Sequence, residues 1–373
     1  MRITRSSKCS LKFITASKRH ELGTVLDEYG RVVNHFIDIF WDKPVAKAEL
    51  LKDVVNSPDS WLSARLKKVA AREALDMISA MKERWKNKPS KLVKPVHRGN
   101  RMYVSCTIAD LKTPKKASSF DCWLELRSIG NKIGIDIPIR KHRQFNDLAS
   151  KGQRLNSYII TRNYVQFVFE WETGPKKEVK TVIGVDTGIN ALASLSTGEQ
   201  LGTDIKAIIE RVKRCRHGSK GQQRAKRALR QRMDEVAKET VSKADLIVVE
   251  NLKGICHKTK FRRRLNSNMR RSIGTWNVRY WLGRLQMDCE SSRATFRSVS
   301  PFRTSITCHA CGHVDGRNRD GTVFRCTKCG HFDNADLNAS RNIVDGFLAG
   351  PYGACYKLVD KEKLACPVLS KSA

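Results

Sequence analysis

The chain has 373 residues, and its 71 Lys and Arg against 37 Asp and Glu give a formal net charge of +34. That excess excludes an ordinary small-molecule enzyme and asks for a long polyanion, most simply nucleic acid, with an anionic membrane surface as the alternative. No apolar run approaches membrane-spanning length, and eight of the twelve cysteines are scattered without a pairing pattern, so the sequence predicts a reducing cytoplasm and no membrane partner.

The first fourteen residues alternate like a β-strand rather than carrying a signal-peptide core. Leu22, Val25, Leu26, Tyr29, Val32, Val33, Phe36, Ile37 and Phe40 then recur at spacings of three and four, which predicts a long helix that Pro44 ends. A second helix is expected over roughly Asp59 to Asn87, with an apolar stripe from Leu62 to Trp85 and a basic opposite face. Core packing explains both stripes, and the basic faces are what could meet a phosphate backbone. From about residue 92 the period changes to two. Met102–Ile108, Phe120–Leu126, Ile133–Ile139 and Val165–Trp171 read as strands of a small barrel, with the helices inserted after its first strand. Pro138 to Arg143 reads as a basic connection, and Gly174-Pro175-Lys176-Lys177 as a linker at a domain boundary.

The second half opens on a buried strand, Thr181 to Asp186, that ends at an acid before a Gly turn. Ala191 to Ser196 and the segment from Gln200 continue a meander, and a strongly basic helical stretch runs from Arg211 to Arg232. Leu246 to Val249 is four apolar residues in a row, a strand buried on both faces, and again an acid, Glu250, closes it. Arg297 to Phe302 gives one more strand. Two C-x-x-C-G turns follow, Cys308 with Cys311 and Cys326 with Cys329, separated by fourteen residues. A redox or disulfide pair is the competing reading, but two matched turns pointing four thiolates at one centre suit one tetrahedral structural Zn²⁺. His309, His313 and His331 sit close by and are not expected to replace a cysteine. Asp336 then opens a final helix. Singly, each of Asp186, Glu250 and Asp336 could be a turn, a surface charge or a helix cap. Together, on three elements in ribonuclease-H order, they read as a carboxylate cluster for Mg²⁺, with two ions activating water and stabilising the leaving oxygen of a phosphodiester.

The stretches VIGVDTGINALASLSTG, DLIVVENLKGI and TSITCHACGH…FRCTKCGHFDNADLNASRNI closely resemble the three RuvC motifs and zinc finger of TnpB, the OrfB protein of bacterial insertion sequences from which type V CRISPR effectors descend. The resemblance is strong over residues 179–344 and weaker in the N-terminal half. It implies an α+β multidomain chain: a wedge β-barrel (residues 1–14 and 92–177) with an inserted helical recognition lobe (15–91), then a RuvC ribonuclease-H-like α/β nuclease domain (178–304 with last helix 334–349), an inserted four-cysteine zinc finger (305–333) and a tail (350–373). It further implies a transposon-associated RNA-guided DNA endonuclease in a bacterial or archaeal cytoplasm, monomer favoured. Such a protein would take a guide RNA from a transposon end or a CRISPR array and cleave double-stranded DNA beside a short motif. Carried over by position, Asp186, Glu250 and Asp336 are its catalytic acids, binding two Mg²⁺ (or Mn²⁺), and Cys308, Cys311, Cys326 and Cys329 its zinc ligands. Many members have Arg just before the last acid, where this chain has Ala335. The basic segment Lys258–Arg264 is either part of a mobile element near the active site or a basic loop. A miniature type V CRISPR effector with the same chemistry is the alternative function. A nuclease-inactive RNA-guided repressor ranks below it because all three acids are present, and a DDE-type transposase fits the order of the zinc module and the acids poorly.

Overall fold

The computed structural model of the chain describes residues 1–42, 50, 52–87, 89–114, 119–128, 133–252 and 265–350. Pro44, the segment Lys258–Arg264 and the tail beyond residue 350 lie outside the described residues. The chain divides into two compact units, Arg2–Glu172 and a second from Thr173 onward that also takes in Met1.

In the first unit, β1 (Arg2–Ser10) leads into α1 (Ala16–Phe40), α2 (Lys52–Asn56) and α3 (Ala64–Trp85). There follow β2 (Arg101–Ser105), β3 (Ala109–Lys112), β4 (Cys122–Arg127), β5 (Gly134–Ile139), α4 (Arg143–Ala149), β6 (Gln153–Thr161) and β7 (Tyr164–Glu172). The strands form one four-stranded sheet in the order β1-β7-β6-β2 and one three-stranded sheet in the order β3-β4-β5. The apolar stripe of α1 is its buried face, from Leu22 to Phe40. The second helix starts at Ala64, five residues later than Asp59, because Ser63 is extended and caps it, its hydroxyl accepting from the Leu66 N–H at 3.5 Å. The strand expected over Met102–Ile108 stops at Ser105; a turn follows, and Ala109 starts another strand. The basic connection ending at Arg143 runs into α4, and β6 was not expected at all. Glu73, on α3, is buried, and its charge is met where helices and strand join: the Tyr29 hydroxyl donates to it at 2.9 Å and Arg101 Nε at 3.0 Å.

In the second unit, β8 (Val182–Asp186), β9 (Ala193–Leu195) and β10 (Gln200–Leu201) are followed by α5 (Ile205–Arg214) and α6 (Lys220–Ser242). Then come β11 (Leu246–Glu250), α7 (Ser267–Thr275), α8 (Val278–Ser292) and β12 (Thr295–Val299). A small three-stranded ribbon, β13 (Arg319–Asp320), β14 (Val323–Arg325) and β15 (Phe332–Asn334), precedes α9 (Ala335–Ala349). The main sheet has the order β10-β9-β8-β11-β12, with β11 parallel to both β8 and β12 and β9 antiparallel to β8. β12 begins at Thr295, paired with Leu246, and ends at Val299, shifted back from the expected Arg297–Phe302; Pro301 has no N–H with which to extend the ladder. Leu246 to Val249 are fully buried, one set of side chains packing with Trp281 and Leu285 and the other with Val182, Ile343 and Phe347. Gly184 makes the second packing possible: a Cβ there would lie 2.1 Å from the Ser340 carbonyl oxygen of α9, so only glycine lets that helix approach β8 so closely.

Candidate active site and metal centre

The two adjacent parallel strands β8 and β11 end in acids. Val185 pairs with Val249 in their register, and Asp186 and Glu250 are the next residue of each strand, so both carboxylates leave the same edge of the sheet. Parallel strands present their C-terminal ends to ligands in this way. The third acid arrives from α9, which Gly184 admits against β8. Asp336 lies in that helix's first turn, where the Asn334 side chain accepts from the N–H groups of Asp336 (2.9 Å) and Leu337 (3.3 Å) and fixes the helix start.

Asp186 lies within electrostatic reach of both other acids. The Asp186 carboxyl is pushed up to about 7, first by burial and then by the negative charges of Glu250 and Asp336, against a 2.9 Å hydrogen bond donated by the Thr187 N–H and the attraction of Arg319. Burial also raises Glu250, opposed by the Thr304 hydroxyl, which donates to it, and by Arg319. Arg319 Nη2 donates to Asp336 Oδ1 at 2.7 Å. One guanidinium therefore acts on all three carboxylates. Unlike the four cysteines, the three carboxylates do not all lie within 4.8 Å of one another. Nothing in the local sequence singled out Arg319 or Thr304. Arg319 sits in the ribbon seventeen residues before its partner, and only the fold of the insert brings it back.

The four cysteines converge. Cys308 Sγ and Cys329 Sγ are 3.8 Å apart, and Cys311 Sγ and Cys326 Sγ 3.6 Å. A tetrahedron of sulfurs about 2.3 Å from a zinc ion has edges of about 3.8 Å, whereas a disulfide would need about 2 Å. The two turns repeat one geometry. Gly312 (φ 71°) donates its N–H to the Cys308 carbonyl at 2.8 Å, and Gly330 (φ 73°) to that of Cys326 at 3.0 Å. The N–H of Cys308 donates to the His313 carbonyl at 2.9 Å, and that of Cys326 to the His331 carbonyl at 2.8 Å. Left-handed backbone at both glycines is what turns each chain segment behind its sulfurs. The donor set fits one Zn²⁺. His309, His331 and Asp333 form a second close group, but Arg341 is ion-paired to Asp333 there. His313 instead meets the Thr327 hydroxyl at 3.2 Å.

The Cas12f1-like TNB domain model matches residues 282–343, which take in all four cysteines. Two CRISPR-associated endodeoxyribonucleases named Cas12f1 are similar to this chain. That of Sulfoacidibacillus thermotolerans is 47% identical over 47 residues, 12% of this chain and 11% of that protein. That of an uncultured archaeon is 26% identical over 153 residues, 36% of this chain and 28% of that protein. The matched stretches thus span less than a third of either relative. Among solved structures, the Cas12f1–sgRNA–target DNA complex aligns with a TM-score of 0.53 at 13% identity, over 88% of this chain and 83% of that one. The mini-RNA-guided endonuclease CRISPR-Cas_phi3 aligns with a TM-score of 0.55 at 11% identity, over 92% of both chains. These likenesses establish a shared α+β fold. In sequence, the likeness to Cas12f1 proteins is confined to these matched stretches.

Proposed function

We propose that this TnpB/Cas12f-like chain is an RNA-guided DNA endonuclease that binds a guide RNA, reads a short motif beside its target and cuts both DNA strands at one RuvC-type site. The observation that supports the reading is that Asp186 ends β8, Glu250 ends the neighbouring parallel strand β11, and both Glu250 and Asp336 act electrostatically on Asp186, on a sheet of order β10-β9-β8-β11-β12. Burial, and after it the negative charges of Glu250 and Asp336, raise the Asp186 carboxyl, and cations joining such carboxylates would offset their repulsion. These acids would hold Mg²⁺, with Mn²⁺ as substitute, and the metal when bound activates water and stabilises the departing oxygen. Asp186, Glu250 and Asp336 would hold the metal, with Glu250 oriented by Thr304 and Asp336 by Arg319. Cys308, Cys311, Cys326 and Cys329 hold one structural Zn²⁺ that fixes the insert carrying Arg319.

The net charge of +34 supplies affinity for the sugar–phosphate chains of guide and target. Base pairing supplies sequence choice, and the protein reads the heteroduplex by shape. The division at residues 172 and 173 supports a guide- and target-holding unit of wedge strands and recognition helices before a nuclease unit. Transposon association is the favoured context. A miniature type V CRISPR effector is the second reading, favoured by the CRISPR-associated names of the relatives. No helix among the described residues is long and apolar enough to cross a membrane.

The test is to purify the protein from its native locus, sequence the RNA that comes with it, and reprogram that RNA against a plasmid. The reading expects an RNA mapping to an element end or a CRISPR array, and cleavage of matched plasmid only in Mg²⁺ or Mn²⁺. Absence of any defined RNA, together with no binding to a matched plasmid, overturns it.

A further inference from the structure

Phe302 is the most exposed large apolar side chain among the described residues, 71% accessible. A single exposed apolar residue ordinarily needs no explanation. This one sits on backbone that is held still. Arg303, next to it, has a φ of 62°, left-handed and costly for a side chain with a Cβ. The conformation is fixed by three donors on the Arg303 carbonyl: the N–H groups of Ile306 (3.2 Å) and Thr307 (3.1 Å) and the Thr307 hydroxyl (2.8 Å). The same loop is stapled to the helix that carries Asp336. Asn342 Nδ2 donates to the carbonyls of Thr304 at 2.8 Å and Thr307 at 2.7 Å, and Asn338 Nδ2 to that of Thr307 at 2.8 Å. Both asparagines are buried. On its other side the loop touches the candidate site directly, since the Thr304 hydroxyl donates to Glu250. A clamped loop between Glu250 and the Asp336 helix thus holds an aromatic ring out in solvent. The Arg303 guanidinium lies 4.8 Å from the centre of that ring.

We infer that Phe302 and Arg303 form a stacking platform for an unpaired base of the DNA strand being cut, holding the neighbouring phosphodiester in front of Asp186, Glu250 and Asp336. The inference rests on the nuclease reading and deepens it. The chemistry fits single-stranded nucleic acid. A phenyl ring offers no hydrogen bond, so its face opposite Arg303 accepts any base, and the guanidinium lying over the ring answers the phosphate. In a duplex the base faces are already covered by their neighbours, so the platform selects a strand that has been unpaired. A protein partner is disfavoured by the charge of the chain, which complements a polyanion.

The test uses the full chain with its co-purified RNA and a matched target, read as single-turnover cleavage beside a gel-shift. Phe302→Ala and Phe302→Leu are expected to cut about tenfold more slowly with unchanged target binding and unchanged zinc content, the loss of one base stack. Phe302→Trp is expected to stay within about twofold of wild type, because indole stacks as well as phenyl. Targets with single abasic positions near the cut give the readout that a merely structural role would not move. One such position slows wild type about tenfold and leaves Phe302→Ala no slower than it already was. Wild-type rates in Phe302→Ala, or abasic effects that multiply with the substitution at every position, overturn the inference while leaving the nuclease reading standing. A wild type that binds the matched target and never cuts overturns both.

Discussion

Asp186→Asn is expected to stabilise the metal-free protein while abolishing its cleavage. The carboxyl titrates near 3.8 when unfolded and is pushed up to about 7 in the fold by burial, Glu250 and Asp336. A carboxyl whose folded value is raised costs stability once it must ionise. As pH climbs from about 4 to about 7 the wild type therefore loses stability through this group, and above 7 the loss is complete. The gap of roughly 3 pH units, at about 1.4 kcal/mol each, sets an upper bound near 4 kcal/mol. Asn removes the charge and keeps the shape; its oxygen still accepts the Thr187 N–H that now meets Asp186 at 2.9 Å. Its new N–H group has carboxylates nearby to accept it. In a unit of this size the bound corresponds to a rise of roughly 10 °C in melting temperature. The assay is thermal unfolding in chelator at pH 8 and pH 5, repeated in Mg²⁺. The variant should melt higher at pH 8, the difference should shrink at pH 5 where the wild-type carboxyl is largely protonated, and Mg²⁺ should raise the wild type but not the variant. A variant no more stable than wild type at pH 8, or stabilised by Mg²⁺ to the same degree, would refute the reasoning.

Three further outcomes are expected. Cys308→Ser and Cys329→Ser each lose the zinc and soluble protein, and elemental analysis of active wild type gives one zinc per chain; active protein without zinc contradicts the metal centre. Arg319→Ala lowers metal-free stability by about 1–3 kcal/mol, the value of a charge-assisted hydrogen bond, and widens the melting gain on adding Mg²⁺, because the carboxylates then lack that guanidinium; an unchanged gain contradicts its role. Affinity for RNA falls steeply with salt as released counterions are no longer favoured, and a flat salt dependence, or preference for anionic vesicles, contradicts the polyanion reading.

The parts of the site that were legible in the sequence are those whose signal is local. Glu250 was legible because four fully buried apolar residues before it can only be a central strand, and its acid must leave at the strand's end. The two cysteine turns were legible because spacing and glycine carry the geometry between them. Asp336 was legible as a helix start, but what brings it to Asp186 is Gly184, whose missing Cβ admits α9 against β8; a glycine inside a buried strand says nothing of its neighbour until the fold is known. Arg319 and Thr304 were not legible, since each acts on an acid far away in the chain and ordinary surface Arg and Thr look the same. In the first unit the errors were of boundary and omission. β6 has no buried residue before Tyr158 and shifts register between Arg154 and Tyr158, which breaks the alternation by which a strand is recognised.

The central claim is that one carboxylate site does all the cutting. It is tested most directly by Asp186→Ala in a guided plasmid-cleavage assay, with a gel-shift on the same samples. Removal of this carboxylate should stop cleavage of both strands and leave guided binding intact, because affinity comes from base pairing and basic side chains rather than from the acids. If Asp186→Ala still nicks one strand, a second active site exists and the single-site account is wrong.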